Sequence, residues 1–275
     1  MPAALTLSPA RRRGHATLVG FAWSAILGTL SAFLLLLVVL PIAGLLFTAP
    51  PRDLLGGLTD PMVGPAVRLT LATTVASLVL VIVCGTPLGW VLARRRGRAW
   101  RIVETVTQLP VVLPPAVAGV ALLLAFGRRG LLGPGLAGVG IGLPFTRAAV
   151  ILAETFVAAP FYLQAAIAAF RRLDPDLVLV ARTLGASRPR VFFTVALPIS
   201  KTALAGGAAM SWARALGEFG ATLMFAGNLS GRTQTLPLAI YTALESDLRT
   251  AQSLSIVLVV VAFALLVAMR VGTRT

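Results

Sequence analysis

The 275-residue chain is 57% hydrophobic and only 12% charged, with a mean hydropathy of +0.92, too apolar for a soluble domain and long enough for several membrane spans. Its net charge of +15 comes from arginine clusters that flank apolar runs without a base-stacking aromatic pattern, which fits membrane topology and anionic lipid heads and excludes nucleic acid. One histidine, His15, and one cysteine, Cys84, rule out an internal disulfide, a histidine-based metal site and a His-dependent nucleophile.

Residues 1–21 read as a cytoplasmic tail carrying Arg11-Arg12-Arg13, and residues 22–275 as one transmembrane domain with its core at about 60–271. Runs of about 20 apolar residues, the length that crosses a bilayer core, occur at about 22–47, 65–93, 102–126, 148–170, 199–227 and 251–271. The first is about twice a signal-peptide core and lacks a clean cleavage site, so it reads as a retained span. The second contains Cys84, expected to be a buried packing residue. In the third, Pro110, Pro114 and Pro115 each remove a backbone donor, which suits either a pore-facing segment or a packing kink. The glycine-rich stretch from Gly127 to Pro144 reads as an external connection.

Residues 171–198 form a polar loop between two apolar runs. Asp174 is placed to cap a helix whose first turn holds Pro175, Gly185 to end it in the left-handed conformation, and Ser187 with Pro189 to begin a second helix. With Gly185 ten residues before Val195, and Leu197-Pro198 closing the segment, this layout resembles the cytoplasmic EAA loop of ABC-importer permeases. Leu179-Val180-Ala181 stands where that family has Glu-Ala-Ala, so only the third position is kept and any salt bridge from the glutamate is lost. The resemblance implies that Ala181, Gly185, Ala186, Ser187, Val195, Leu197 and Pro198 couple the chain to an ATPase.

Arginine and lysine set the orientation, because cytoplasmic loops retain them. Sixteen fall on the side of both termini and the 171–198 loop, and seven on the other, with Arg214 inside the fifth run. Both termini and the loop are therefore expected in the cytoplasm. Arg214 and Glu218, four residues apart, are spaced to neutralise each other on a helix, while Gly217, Gly220 and Ala221 permit close helix approach. Residues 231–241 read as a short external loop returning to the membrane.

The tracts Arg214 to Asn228 and Gly231 to Tyr241 resemble the fifth helix and external loop of molybdate ABC-transporter permeases. That resemblance implies an all-α polytopic protein of about six transmembrane helices with the type I ABC-importer permease fold, in the bacterial plasma membrane. It also implies a homodimer, two ATP-binding subunits on the cytoplasmic side that carry the ATP and Mg, and an extracytoplasmic molybdate-binding protein. The chain lacks a G-x-x-x-x-G-K-[ST] phosphate loop, so no catalytic or cofactor site is expected within it. Glu218, Phe219, Gly220, Thr222, Leu223 and Met224 are the candidates for the translocation path or gate, set among membrane lipid. Sulfate and tungstate remain alternative cargoes, and an ion-coupled secondary transporter would have to draw on Glu104, Glu154 and Glu218.

Overall fold

A computed structural model describes residues 9–48, 50, 56 and 59–272. Residues 1–8 of the expected tail, together with Arg52 and Arg274, lie outside the described residues. The chain divides into two units, residues 1–51 and 52–275. In the first, helix α1 (Pro9–Phe47) begins inside the expected tail, and its stretch Trp23–Phe47 is apolar enough to cross a membrane.

The second unit is a bundle of helices: α2 (Val63–Arg94), α3 (Arg98–Val112), α4 (Pro115–Phe126), α5 (Gly133–Gly138), α6 (Arg147–Arg171), α7 (Pro175–Thr183), α8 (Arg188–Val191), α9 (Leu197–Leu216), α10 (Gly220–Ala226), α11 (Leu236–Ser246) and α12 (Leu248–Gly272). A π-helical segment, Phe192–Ala196, joins α8 to α9. Among the described residues, five helical stretches are long and apolar enough to span a bilayer. The expected third run is not one of them. Leu113 and Pro114 are extended, with ψ of 131° and 138°, because a residue preceding proline is pushed out of the helical region. The run therefore divides into α3 and α4.

Helix α6 is the centre of the bundle. Thr146 starts it by accepting the Ala149 amide through its hydroxyl at 3.2 Å. Its buried positions Ala149, Ala153, Val157, Ala158 and Ala166 leave a small-residue surface on which α2 and α9 lie close. The half-helices α4 and α10 pack on each other and on α6 through Ala118, Leu122, Ala221 and Phe225. At their crossing, a Cβ on Gly119 would meet Met224 Cβ at 2.6 Å, and one on Gly220 would meet Pro115 Cβ at 2.6 Å.

Two expectations are corrected here. Cys84 is exposed on the surface of α2 rather than buried, because the packed face of α2 runs through Ser77, Val81 and Thr86 and leaves Cys84 off that stripe. Residues 231–241 are more than a loop: Thr233, Gln234 and Thr235 are buried and lead into α11, which packs on α2 and α12 through Leu236, Ala239 and Ala243.

Candidate functional site: the coupling loop and the interrupted fifth span

Local signals in the 171–198 loop act as read from the residues. The Asp174 carboxylate accepts the Asp176 amide at 2.9 Å, and Pro175 occupies the first position of α7. At the other end, Gly185 has φ of +85°. Its amide donates to Arg182 O and that of Ala186 to Ala181 O, both at 3.0 Å, the paired bonds that close a helix through a left-handed glycine. Ser187 then caps α8 by accepting the Arg190 amide at 3.4 Å. The second helix is not separate, however: α8 continues through the π segment into α9, so residues 188–216 form one helical stretch.

Of the expected coupling residues, Gly185, Ser187 and Pro198 are exposed, while Ala181, Ala186, Val195 and Leu197 are half-buried. Three apolar residues outside that expected set share the surface of the loop. Leu177, Val180 and Leu184 are exposed, Leu184 to 83%. Their spacing of three and four residues puts them on one face of α7, and that spacing was the available signal. The loop thus presents an apolar ridge that none of the described residues covers.

The fifth run is also interrupted. Helix α9 stops at Leu216, and Gly217 to Phe219 separate it from α10. Glu218 lies in this break, almost fully buried. Its Oε1 accepts the Ala221 amide at 2.8 Å, which caps α10. Arg214 Nη2 approaches Glu218 Oε2 at 2.8 Å, an ion-pair contact whose angle makes no hydrogen bond. The expected helical pairing therefore persists although the helix ends between the two residues.

The remaining candidates divide. Phe219 packs on Tyr241 with ring centroids 5.4 Å apart, and Gly220 lies against Pro115. Thr222 is fully buried, with no hydrogen-bond partner for its hydroxyl among the described residues. Leu223 is half-buried and Met224 is 44% exposed.

Next to the break lies a polar seam that the sequence motifs do not reveal. Thr70, Thr73, Thr74 and Ser77 line one face of α2, at the helical spacing of three and four that could have disclosed them. Thr73 Oγ lies 2.8 Å from Glu154 Oε1, Thr74 Oγ accepts the Trp212 indole N–H at 3.0 Å, and the Ser77 and Thr155 hydroxyls meet at 3.1 Å. Glu154 is thereby a buried carboxyl tied to the bundle. Glu104, by contrast, sits near the loop end and binds Arg171 through both oxygens, at 3.0 and 2.6 Å. Among the described residues no group of His, Cys, Asp or Glu is arranged to hold a metal ion.

Residues 85–272, more than half of the chain, match the family described as binding-protein-dependent transport system inner membrane component. The chain belongs to this family. This inner-membrane component is 46% identical over 218 residues to the molybdenum transport system permease protein ModB of Mycobacterium tuberculosis, covering 79% of the chain and 82% of that protein. It is 38% identical over 190 residues to ModB of Escherichia coli K12, covering 69% and 82%. In fold it resembles a bacterial ABC transporter involved in the import of alginate, with a TM-score of 0.76 at 16% identity over 96% of the chain and 98% of that structure. The component is therefore an all-helical, multi-pass membrane protein with the type I ABC-importer permease fold.

Proposed function

We propose that this chain is the membrane-spanning channel subunit of an ATP-driven importer that carries molybdate inward. The observation behind the cargo is the shared molybdenum assignment of relatives in Mycobacterium tuberculosis and Escherichia coli. The chain works as a homodimer whose two-fold axis encloses a central path. Both termini and the 171–198 loop face the cytoplasm, in keeping with the arginine distribution.

Each loop docks on one of two ATP-binding subunits, which hold ATP and Mg. The exposed apolar ridge of α7, Leu177, Val180 and Leu184, supplies contact area for that docking, and the turn at Gly185 holds the ridge in place. ATP binding draws the two loops together and opens the path outward, which requires only that the loops make different contacts in the two states. An extracytoplasmic molybdate-binding protein selects and delivers the dianion. A strongly hydrated dianion would be trapped by fixed opposite charge, so a path of small and apolar groups with a closable constriction serves passage better. Met224 and Leu223 of the two copies form that constriction, and the buried Glu218 holds the neighbouring break in shape.

Uptake of molybdate into liposomes holding the complete complex and its binding protein tests this reading. Uptake should require ATP inside and the binding protein outside. Equal transport of sulfate with that same binding protein would overturn the cargo, and uptake driven by a proton or sodium gradient without ATP would overturn the mechanism.

A further inference from the structure

At the end of the bundle that carries α7, the last turn of α2, the first turns of α3 and the last turn of α6 line an open cavity of about 760 Å³. Five guanidinium groups line it, those of Arg94, Arg95, Arg96, Arg101 and Arg171. The one carboxylate in its lining among the described residues, Glu104, is already engaged through both oxygens by Arg171. Four cations therefore share one cavity with no carboxylate partner among the described residues.

Scattered arginines at a membrane surface follow from topology alone, but topology does not require them to converge on one cavity. Here Gly97, with φ of +125°, turns the chain between α2 and α3 so that Arg94 to Arg96 and Arg101 line the same space. Two of the cations are held in place: Arg94 lies over the Trp90 ring at 3.9 Å and Arg95 over Trp100 at 5.7 Å. Like charges converged and fixed in this way attract a polyanion, and guanidinium groups match phosphate in particular.

The surroundings select the source of that phosphate. Beside the cavity, Ile102, Val106 and Leu109 of α3 are exposed at helical spacing, and Trp100 and Phe170 form part of the cavity wall. A free phosphate would use only the cationic end, whereas an anionic phospholipid would also lay its acyl chains along α3. Basic pockets between membrane helices are suited to such head groups.

We infer that this cavity is a binding site for the phosphate head group of an anionic phospholipid, placed against the root of α7. Leu173 and Pro175 belong to its lining, so the bound lipid braces the start of the coupling helix.

Native mass spectrometry of the whole complex, titrated with phosphatidylglycerol or with phosphatidylcholine of the same chains, tests the site. Wild type should retain phosphatidylglycerol selectively, and R95Q/R101Q should weaken that retention roughly tenfold or more. The pair R172Q/R190Q removes the same charge away from the cavity and should leave retention close to wild type. For a test that needs no variant, brominated phosphatidylglycerol should quench tryptophan fluorescence of the wild-type complex more than brominated phosphatidylcholine. Equal retention or quenching by the two lipids, or equal loss in both arginine pairs, overturns the site. Competition by glycerol phosphate as effective as that of the whole lipid overturns the lipid as its occupant.

Discussion

The Thr70 hydroxyl accepts the backbone amide of Leu236 at 2.7 Å, a bond between residues 166 apart in the chain. Leu236 is the first residue of α11, whose own turn cannot satisfy that amide. The start of α11 is thus tied to α2 by one side chain, and both residues are fully buried.

Thr70→Val keeps the shape and removes the acceptor, leaving the Leu236 amide buried and unbonded. We expect a loss of about 1–3 kcal/mol, read as lowered thermal stability of the purified protein, with Thr70→Ser close to wild type. Equal stability of the valine and wild-type proteins would mean that another group takes the amide.

At Gly185 the space is open, since a Cβ added there would meet nothing within 4 Å, so substitution is opposed by backbone conformation alone. Gly185→Val should cost about 1–2 kcal/mol locally and Gly185→Asn less. Both proteins should insert at normal yield, while the valine variant loses co-purification with the ATPase. Unchanged stimulation of ATP hydrolysis by Gly185→Val would remove the loop from the docking model.

Leu184→Glu separates docking from folding more cleanly. The side chain is exposed and makes no core contact, so surface substitution should change stability by less than about 0.5 kcal/mol. Placing a charge on the ridge should nonetheless abolish ATPase binding in a pull-down from membranes. Retained binding would show that the partner does not cover this face.

Met224 and Leu223 distinguish gate from packing. Met224→Ala, at a position that is partly exposed in the single chain, should let molybdate leak across liposomes without ATP while leaving yield unchanged. Lowered stability without leak would assign the residue to packing between α10 and α4.

A cysteine introduced at Ser187 reports orientation. Because Cys84 is exposed on α2, it must first be replaced. In intact cells an impermeant maleimide should leave the new thiol unlabelled, and labelling from outside would invert the topology and remove the loop from the ATPase side.

Features written in short stretches of sequence were legible in it. The cap at Asp174, the helix stop at Gly185 and the start at Ser187 depend on neighbours within a few residues, and all three form as expected. The break at Leu113-Pro114 was half legible: the prolines stand out, but the apolar run around them conceals that the helix stops. The break at Gly217 to Phe219 was not legible, because the apolar run continues past it and no proline marks it, while the close approach of Gly220 to Pro115 is made by a residue far away in sequence. Burial of Thr233 to Thr235 was not legible, since their polar character suggests a loop, whereas Thr233 and Gln234 bond to Gly227, Leu229 and Thr242 just before Leu236 is tied to α2. At the candidate site, Glu218 and Arg214 were evident from their spacing, whereas the partners of Glu154 required the threonine face of α2 to be matched with α6.

The wide turn at Phe192–Ala196 lies within the helical stretch that follows the loop. From Arg188 to Leu216 the chain is helical over 29 residues, a rod of about 43 Å with its lower end at Ser187 and its upper end beside Glu218. Phe192, within the wide turn, rests against Trp90 and Phe170, with centroids 5.4 and 6.1 Å away. That aromatic contact sits near one end of the helical stretch. Were the stretch to pivot on that contact, a small tilt at the loop would become a larger sideways sweep at the Gly217 break, and the stroke would depend on where the pivot sits along the stretch rather than on how far the loop travels.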